Sequence, residues 1–236
     1  MSEKIQKIIA RDGLASRREA ERLIIAGRVS CNGKVVSIGD RASAEDVIAV
    51  DGRRLKQKFS ESILLLYHKR EGVLCTHDDP IGRETIYEEL PPCDSGKWLS
   101  VGRLDINSSG LLLVTNNGEW AHRLMHPKFH LEREYLVRID APLDASDIQM
   151  LLRGVELSDG QARFKSIKEL KKTDARGRNT WYKVVLEQGK NRIIRRVFEH
   201  VDRQVSRLIR VRMGRLRLPR SLAPGQYQPV SMEQVI

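Results

Sequence analysis

Val101-Gly102-Arg103-Leu104-Asp105-Ile106-Asn107-Ser108-Ser109-Gly110 is the stretch on which the reading of this chain turns. Two glycines bracket a polar loop, and the loop runs directly into the apolar tetrapeptide Leu111–Val114, which predicts a buried strand. A single aspartate in a loop is most often a turn former or a helix cap. Asp105, however, stands at the mouth of a strand, where a carboxylate can be held in one place, and Arg103 lies two positions before it.

Around this stretch the pattern predicts strands at Ile63–Tyr67, Glu134–Ile139 and Trp181–Glu187, and helices at Glu119–Met125, Ala145–Arg153 and Arg192–His200. In Glu134–Ile139 the residues Tyr135, Val137 and Ile139 share a face. A tyrosine flanked by aliphatics reads first as core. Strands and helices follow one another without regular βαβ repetition, so the fold class is α+β with a mainly antiparallel sheet. Polar turns are expected at Asp174–Asn179, and a loop-rich end at Pro219–Gln228.

The N-terminal sixty residues read as a small α+β module. Lys4–Ala10 is a short helix with Ile5, Ile8 and Ile9 on one face. Ser16 and Glu19 have capping-box spacing and open a second helix that Gly27 ends. That helix buries Ala20, Leu23 and Ile24 and turns Arg17, Arg18 and Arg22 outward. Short strands follow at Arg28–Cys31 and Lys34–Ser37, joined by an Asn32-Gly33 hairpin turn, and at Val47–Val50 before the Asp51-Gly52 turn. A polar link, Arg53–Ser62, leads to the rest of the chain.

Of the 236 residues, 40% are apolar and 31% charged, enough for a packed core. No apolar run approaches the roughly 20 residues of a spanning helix, and the charged start Met-Ser-Glu-Lys is unlike a signal peptide. Cys31, Cys75 and Cys93 have neither disulfide-framework nor zinc-ligand spacing, and they suit a reducing cytosol. The net charge is +11. Residues 1–60 carry 13 basic and 8 acidic side chains, and residues 188–220 carry 11 basic and 2 acidic ones. Two basic segments around a near-neutral middle read as two nucleic-acid contacts. Ten arginines in the second favour bidentate phosphate grips. With 5% aromatics, an extended single-strand stacking platform is not expected.

The second basic segment opens with Gln188-Gly189-Lys190-Asn191-Arg192-Ile193-Ile194-Arg195-Arg196-Val197-Phe198. On a helix Ile193, Ile194, Val197, Phe198 and Val201 form the buried stripe and Arg192, Arg195, Arg196 and Glu199 the other side. For most of these arginines a solvated surface is sufficient explanation, but one near the helix start can reach a carboxylate on a neighbouring strand.

Gly102-Arg103-Leu104-Asp105 with Asn107–Leu113, then Asn117-Gly118-Glu119 and Arg123-Leu124-Met125-His126-Pro127, resemble the signature of the small-subunit and large-subunit rRNA pseudouridine synthase family. Glu132–Val137 resembles its tyrosine motif. Gly189-Lys190-Asn191-Arg192 through Arg195-Arg196 resembles its basic motif, and Val205–Gly214 its closing strand. Residues 4–52 resemble an S4 RNA-binding domain. The chain departs from the pattern at Lys69-Arg70-Glu71-Gly72, where relatives have Lys-Pro-Glu-Gly, and it lacks the long basic tail of some relatives.

The resemblance implies an S4-like RNA-binding domain over residues 1–60 and a pseudouridine synthase catalytic domain over 61–236. It implies Asp105 as the catalytic carboxylate, Tyr135 stacking on the uracil, and Arg195 beside Asp105. It also implies RNA contacts from Arg17, Arg18, Arg22, Arg103, Lys190 and Arg192. The reaction moves a uracil from its N1 to its C5 attachment without oxidation. No metal and no cofactor are therefore expected, and the sequence has no phosphate cradle or dinucleotide fingerprint. The implied partner is one uridine in a large-subunit rRNA stem-loop, with no membrane and no DNA, acting as a cytoplasmic monomer. The competing reading is a basic RNA-binding assembly factor with a degenerate second domain. A DNA-binding regulator is weaker, since no helix-turn-helix or dimerising heptad is visible.

Overall fold

A computed structural model describes residues 2–55, 61–94, 96–170 and 179–236. The polar turn expected at Asp174–Asn179, apart from Asn179, and residues 56–60 of the Arg53–Ser62 link lie outside these residues. The chain forms two compact units: one comprises Met1–Ser62, Pro91–Leu99 and Asn116–Gly118, the other Ile63–Leu90, Ser100–Thr115 and Glu119–Ile236. Among the described residues no helix is long and apolar enough to cross a membrane.

In the first unit the elements are β1 (Glu3–Lys4), α1 (Ile5–Arg11), α2 (Arg17–Ile25), β2 (Val29–Cys31), β3 (Lys34–Val35), β4 (Arg41–Ala42), β5 (Ile48–Val50) and β6 (Arg53–Arg54). The helical period that places Ile5, Ile8 and Ile9 together also buries them, against Ala20, Leu23 and Ile24 of α2 and Val29, Ile48 and Val50 of the strands. Ser16 caps α2, its Oγ accepting from the Glu19 amide at 3.2 Å. Only half of the expected capping box forms, because the Glu19 carboxylate turns forward to Arg22. The Asn32-Gly33 and Asp51-Gly52 turns have positive φ at both positions, the geometry that matches tight hairpins to strand twist. The order β3-β2-β5-β6 is antiparallel throughout, and β6 begins the segment expected to be a plain link.

The second unit holds β7 (Leu64–Lys69), β9 (Ser109–Thr115), β10 (Arg133–Ile139), α4 (Ala145–Arg153), β11 (Ser166–Glu169), β12 (Thr180–Leu186), α5 (Ile193–Glu199), β13 (Val205–Met213), β14 (Leu216–Arg217) and β15 (Tyr227–Pro229). Leu99–Ser100 is β8, and α3 is Gly118–Met125. Seven strands run in the order β11-β12-β10-β13-β9-β7-β15. All these pairings are antiparallel except β9 with β13, which is parallel. Strands β7 and β9 are nearly continuous apolar runs and are buried along their length. β15 falls in the loop-rich end, where Pro229 sits at a sheet edge, a position that spares it a ladder bond.

Candidate active site

The loop from Val101 to Ser108 is fastened at both ends and along its middle. The Val101 amide donates to Leu113 at 2.8 Å, and the Ser108 amide closes a turn onto the Asp105 carbonyl at 3.0 Å. The end of β7 and the turn after it hold the rest. The Gly72 amide donates to Ile106 at 2.9 Å, and the Cys75 thiol to Leu104 at 3.4 Å.

Lys69 is the centre of this fastening. It is 0% exposed, and its Nζ donates to the carbonyls of Asp105 at 3.2 Å, Ser108 at 2.8 Å and Arg70 at 3.0 Å. Burial pushes its ammonium below the ordinary value, while the nearby charges of Cys75 and Asp105 pull the other way. Arg70 braces the same turn by pairing with Glu89 and, at 2.8 Å, with Glu84. Thus the backbone that carries Asp105 is rigid. Its half-buried carboxylate accepts no hydrogen bond among the described residues, so its lone pairs remain available.

Arg195, the third residue of α5, reaches the same loop. Its Nη2 donates to the Asn107 carbonyl at 2.8 Å and its Nη1 to Val205 at 2.7 Å, while Nε is buried without a partner. Burial, then the charge of Arg192, lowers the Arg195 pKa, and the Asp105 carboxylate acts to raise it. The guanidinium expected beside Asp105 therefore acts on it through its field. Its hydrogen bonds go to backbone carbonyls, Asn107 in the loop and Val205 in β13, rather than to the carboxylate.

Sheet register brings the remaining groups into one row: Lys69 faces Gly110, Gly110 faces Arg210, Arg210 faces Tyr135, and Tyr135 faces Val184. Residues directly opposite share a face, so Lys69, Arg210 and Tyr135 lie on the same side of the sheet. Gly110 is required between them. Its φ is +105°, and a Cβ there would stand 2.2 Å from the Arg210 carbonyl oxygen. Arg210, 2% exposed, donates from Nε to the Leu111 carbonyl at 2.6 Å and leaves Nη2 without a partner. Tyr135 is 8% exposed.

The basic candidates divide. Arg103 is exposed near Asp105, and Arg192 is exposed at the start of α5, where it has a left-handed backbone with φ of 46°. Lys190 is engaged within the protein, donating to the carbonyls of Asp159, Gly160 and Gln161 at 2.7, 2.6 and 3.1 Å. Arg17, Arg18 and Arg22 are all exposed on α2 of the other unit, Arg22 in an i,i+3 pair with Glu19. Sequence reading missed the parts played by Lys69 and Arg210. The available signal was a lysine closing the buried run Leu64–Tyr67 and an arginine alternating with Leu208 in a strand. Among the described residues no group of three or more His, Cys, Asp or Glu could hold a metal ion.

Comparison with known proteins adds a second line of observation. Residues 63–200 match the RNA pseudouridylate synthase family and residues 3–48 the S4 domain. The chain is 48% identical over 239 aligned residues to ribosomal large subunit pseudouridine synthase B of Salmonella typhimurium, covering 99% of this chain and 81% of that protein. It is 47% identical, with the same coverage, to the protein of that name from Escherichia coli strain K12. A solved structure described as a pseudouridylate synthase superposes with a TM-score of 0.67 at 29% identity, covering 98% of this chain and 97% of the other.

Proposed function

The chain belongs to the RNA pseudouridylate synthase family, and from that premise we propose that it converts a specific uridine of large-subunit rRNA to pseudouridine, with Asp105 as the catalytic carboxylate. The observation that carries this reading is the clamped loop. Lys69 and Arg195 fix the backbone at Asp105 and directly after it, at Asn107 and Ser108, and leave its carboxylate oxygens free. A binding protein needs exposed cations, but it gains nothing from immobilising an unsatisfied carboxylate.

In the reaction the N1–C1′ bond and the C5–H bond of uridine break, and C5–C1′ and N1–H bonds form. All the atoms come from the nucleotide, apart from protons exchanged with the protein. Asp105 acts as nucleophile at C1′ or C6, or as base toward the C2′ proton. The positive charges of Arg195 and Lys69 interact with this carboxylate electrostatically. Tyr135, in the row with Lys69 and Arg210, stacks on the uracil and takes part in removing the C5 proton. The base must leave its stack, at a cost of a few kcal/mol that is smallest in a loop or bulge. Arg103, exposed two positions from Asp105, would occupy the vacated space.

Arg17, Arg18 and Arg22 hold RNA through phosphates, with Arg192 contributing near the cleft. The three cysteines, half-buried and in no disulfide among the described residues, suit the reducing cytoplasm, where the chain would work as a monomer. Release of tritium from [5-³H]uridine-labelled large-subunit rRNA tests the reading, because the C5 hydrogen is lost only if the new bond forms there. The account expects stoichiometric release at one site. An rRNA that keeps all its tritium would overturn it.

A further inference from the structure

We propose that the segment between α3 and β10 is a second RNA contact, in which Phe129 stacks on an unpaired base of the substrate RNA while Arg123 and Lys128 hold the adjoining phosphates. The inference rests on the RNA-modifying reading and adds a binding site to it.

The local sequence is His122-Arg123-Leu124-Met125-His126-Pro127-Lys128-Phe129-His130. Helix α3 buries Ala121 and Leu124 in the core, and helical geometry then turns His122, Arg123 and Met125 outward. Pro127–Phe129 forms one tight turn, in which the Lys128 amide donates to His126 Nδ1 at 3.2 Å. His130 follows with a left-handed backbone, φ 47°, and Leu131 is buried again in the core. Phe129 is thus presented from a short segment anchored on both sides, and it is 42% exposed.

A single exposed apolar side chain needs no explanation. This ring, however, has company. Lys128 Nζ lies 4.8 Å from its centroid and Arg123 Cζ 5.8 Å. The His126 ring meets it edge-on at 6.3 Å, and His122 lies 5.0 Å from His126. Neither Arg123 nor Lys128 has an ion pair among the described residues; the carboxylate of Glu187 is paired with His130 and Lys165 instead. Two cations resting on an aromatic ring, without carboxylates, can exchange the ring for phosphate while the ring takes a base. Aromatic stacking beside a positive path is how single-stranded nucleic acid is held. A protein partner would have to bring its own acidic groups and would not need the ring.

The contact is distinct from the cleft. The Asp105 loop enters β9 at Ser109, whereas α3 follows the other end at Thr115, and seven strand residues span roughly 20 Å. The base held by Phe129 is therefore not the target uridine but one flanking it.

The test uses the full chain and protein-free large-subunit rRNA, with Kd measured across a salt series for wild type, Phe129→Ala, Phe129→Trp and Arg123→Ala/Lys128→Ala. Phe129→Ala should weaken binding by about 5-fold or more without changing the salt slope, and Phe129→Trp should restore it. The double variant should flatten the slope of log K against log salt by about 1.4. A Phe129→Ala affinity equal to wild type, or an unchanged slope in the double variant, overturns the proposal. Tritium release by the wild type is followed on the same RNA. Failure of the enzymatic reading is therefore seen separately from failure of this contact.

Discussion

Replacing Lys69 with methionine keeps an unbranched side chain, one atom shorter, and removes its three hydrogen bonds. The partners are carbonyls of Asp105, Ser108 and Arg70, and two of them belong to the loop that presents Asp105. Each buried carbonyl left without a donor costs about 1–3 kcal/mol. Part of that is returned, because an ammonium that burial disfavours is no longer buried. A net loss of about 2–4 kcal/mol follows, which in a unit of this size lowers Tm by about 5–15 °C. Calorimetry reads this directly. A loop that relaxes by about 1 Å also misplaces the carboxylate, and a misplacement of that size costs about 100-fold in turnover. Turnover is measured well below the new Tm, so that unfolding does not contribute.

The pH dependence supplies an independent check. The folded pKa of Lys69 lies below its ordinary 10.5, so over that interval the unfolded chain binds more protons and this group's contribution to stability rises with pH. The gap between wild type and Lys69→Met should therefore widen as pH climbs toward 10.5. A variant with wild-type Tm, wild-type turnover and a constant gap would show that Lys69 clamps nothing.

Other substitutions probe other links. Gly110→Ala puts a Cβ 2.2 Å from backbone at Arg210, which cannot give way, and should cost about 3 kcal/mol or more in chemical denaturation; near wild-type stability would refute the close approach. Arg17→Ala with Arg18→Ala should reduce the salt slope of RNA binding by about 1.4–1.8, and an unchanged slope would remove α2 from the interface. Tyr135→Phe keeps the ring and deletes the hydroxyl. If the hydroxyl helps remove the C5 proton, tritium release should slow by about 100-fold or more, whereas wild-type release would leave Tyr135 a stacking role alone.

Much of the architecture could be read from periodicity. The stripe Ile5, Ile8, Ile9, the helix at Ala145–Arg153 and the apolar strand after Gly110 stand where their patterns place them, because burial and local pattern agree there. β11 was missed because Ser-Ile-Lys-Glu at a sheet edge is short and mostly exposed, so it has no apolar run to announce it.

Much of the excess charge of residues 188–220 is engaged within the fold. Arg196 pairs with Asp159, Arg203 with Asp147, and Arg212 with Glu132 and Glu134; Arg210 is buried and Lys190 is tied to carbonyls. Those cations are engaged by carboxylates and carbonyls distant in sequence that a local count cannot include. For the same reason Lys69 stayed hidden: its partners are 36 and 39 positions away, and only the β7–β9 register brings them together.

The central claim is that the Asp105 carboxylate carries the chemistry, and Asp105→Asn tests it most directly because the amide is nearly isosteric and leaves the backbone clamp untouched. Tritium release from labelled large-subunit rRNA is measured beside Kd for the same RNA. The account predicts unchanged affinity and no release; release at a rate close to that of the wild type would contradict it.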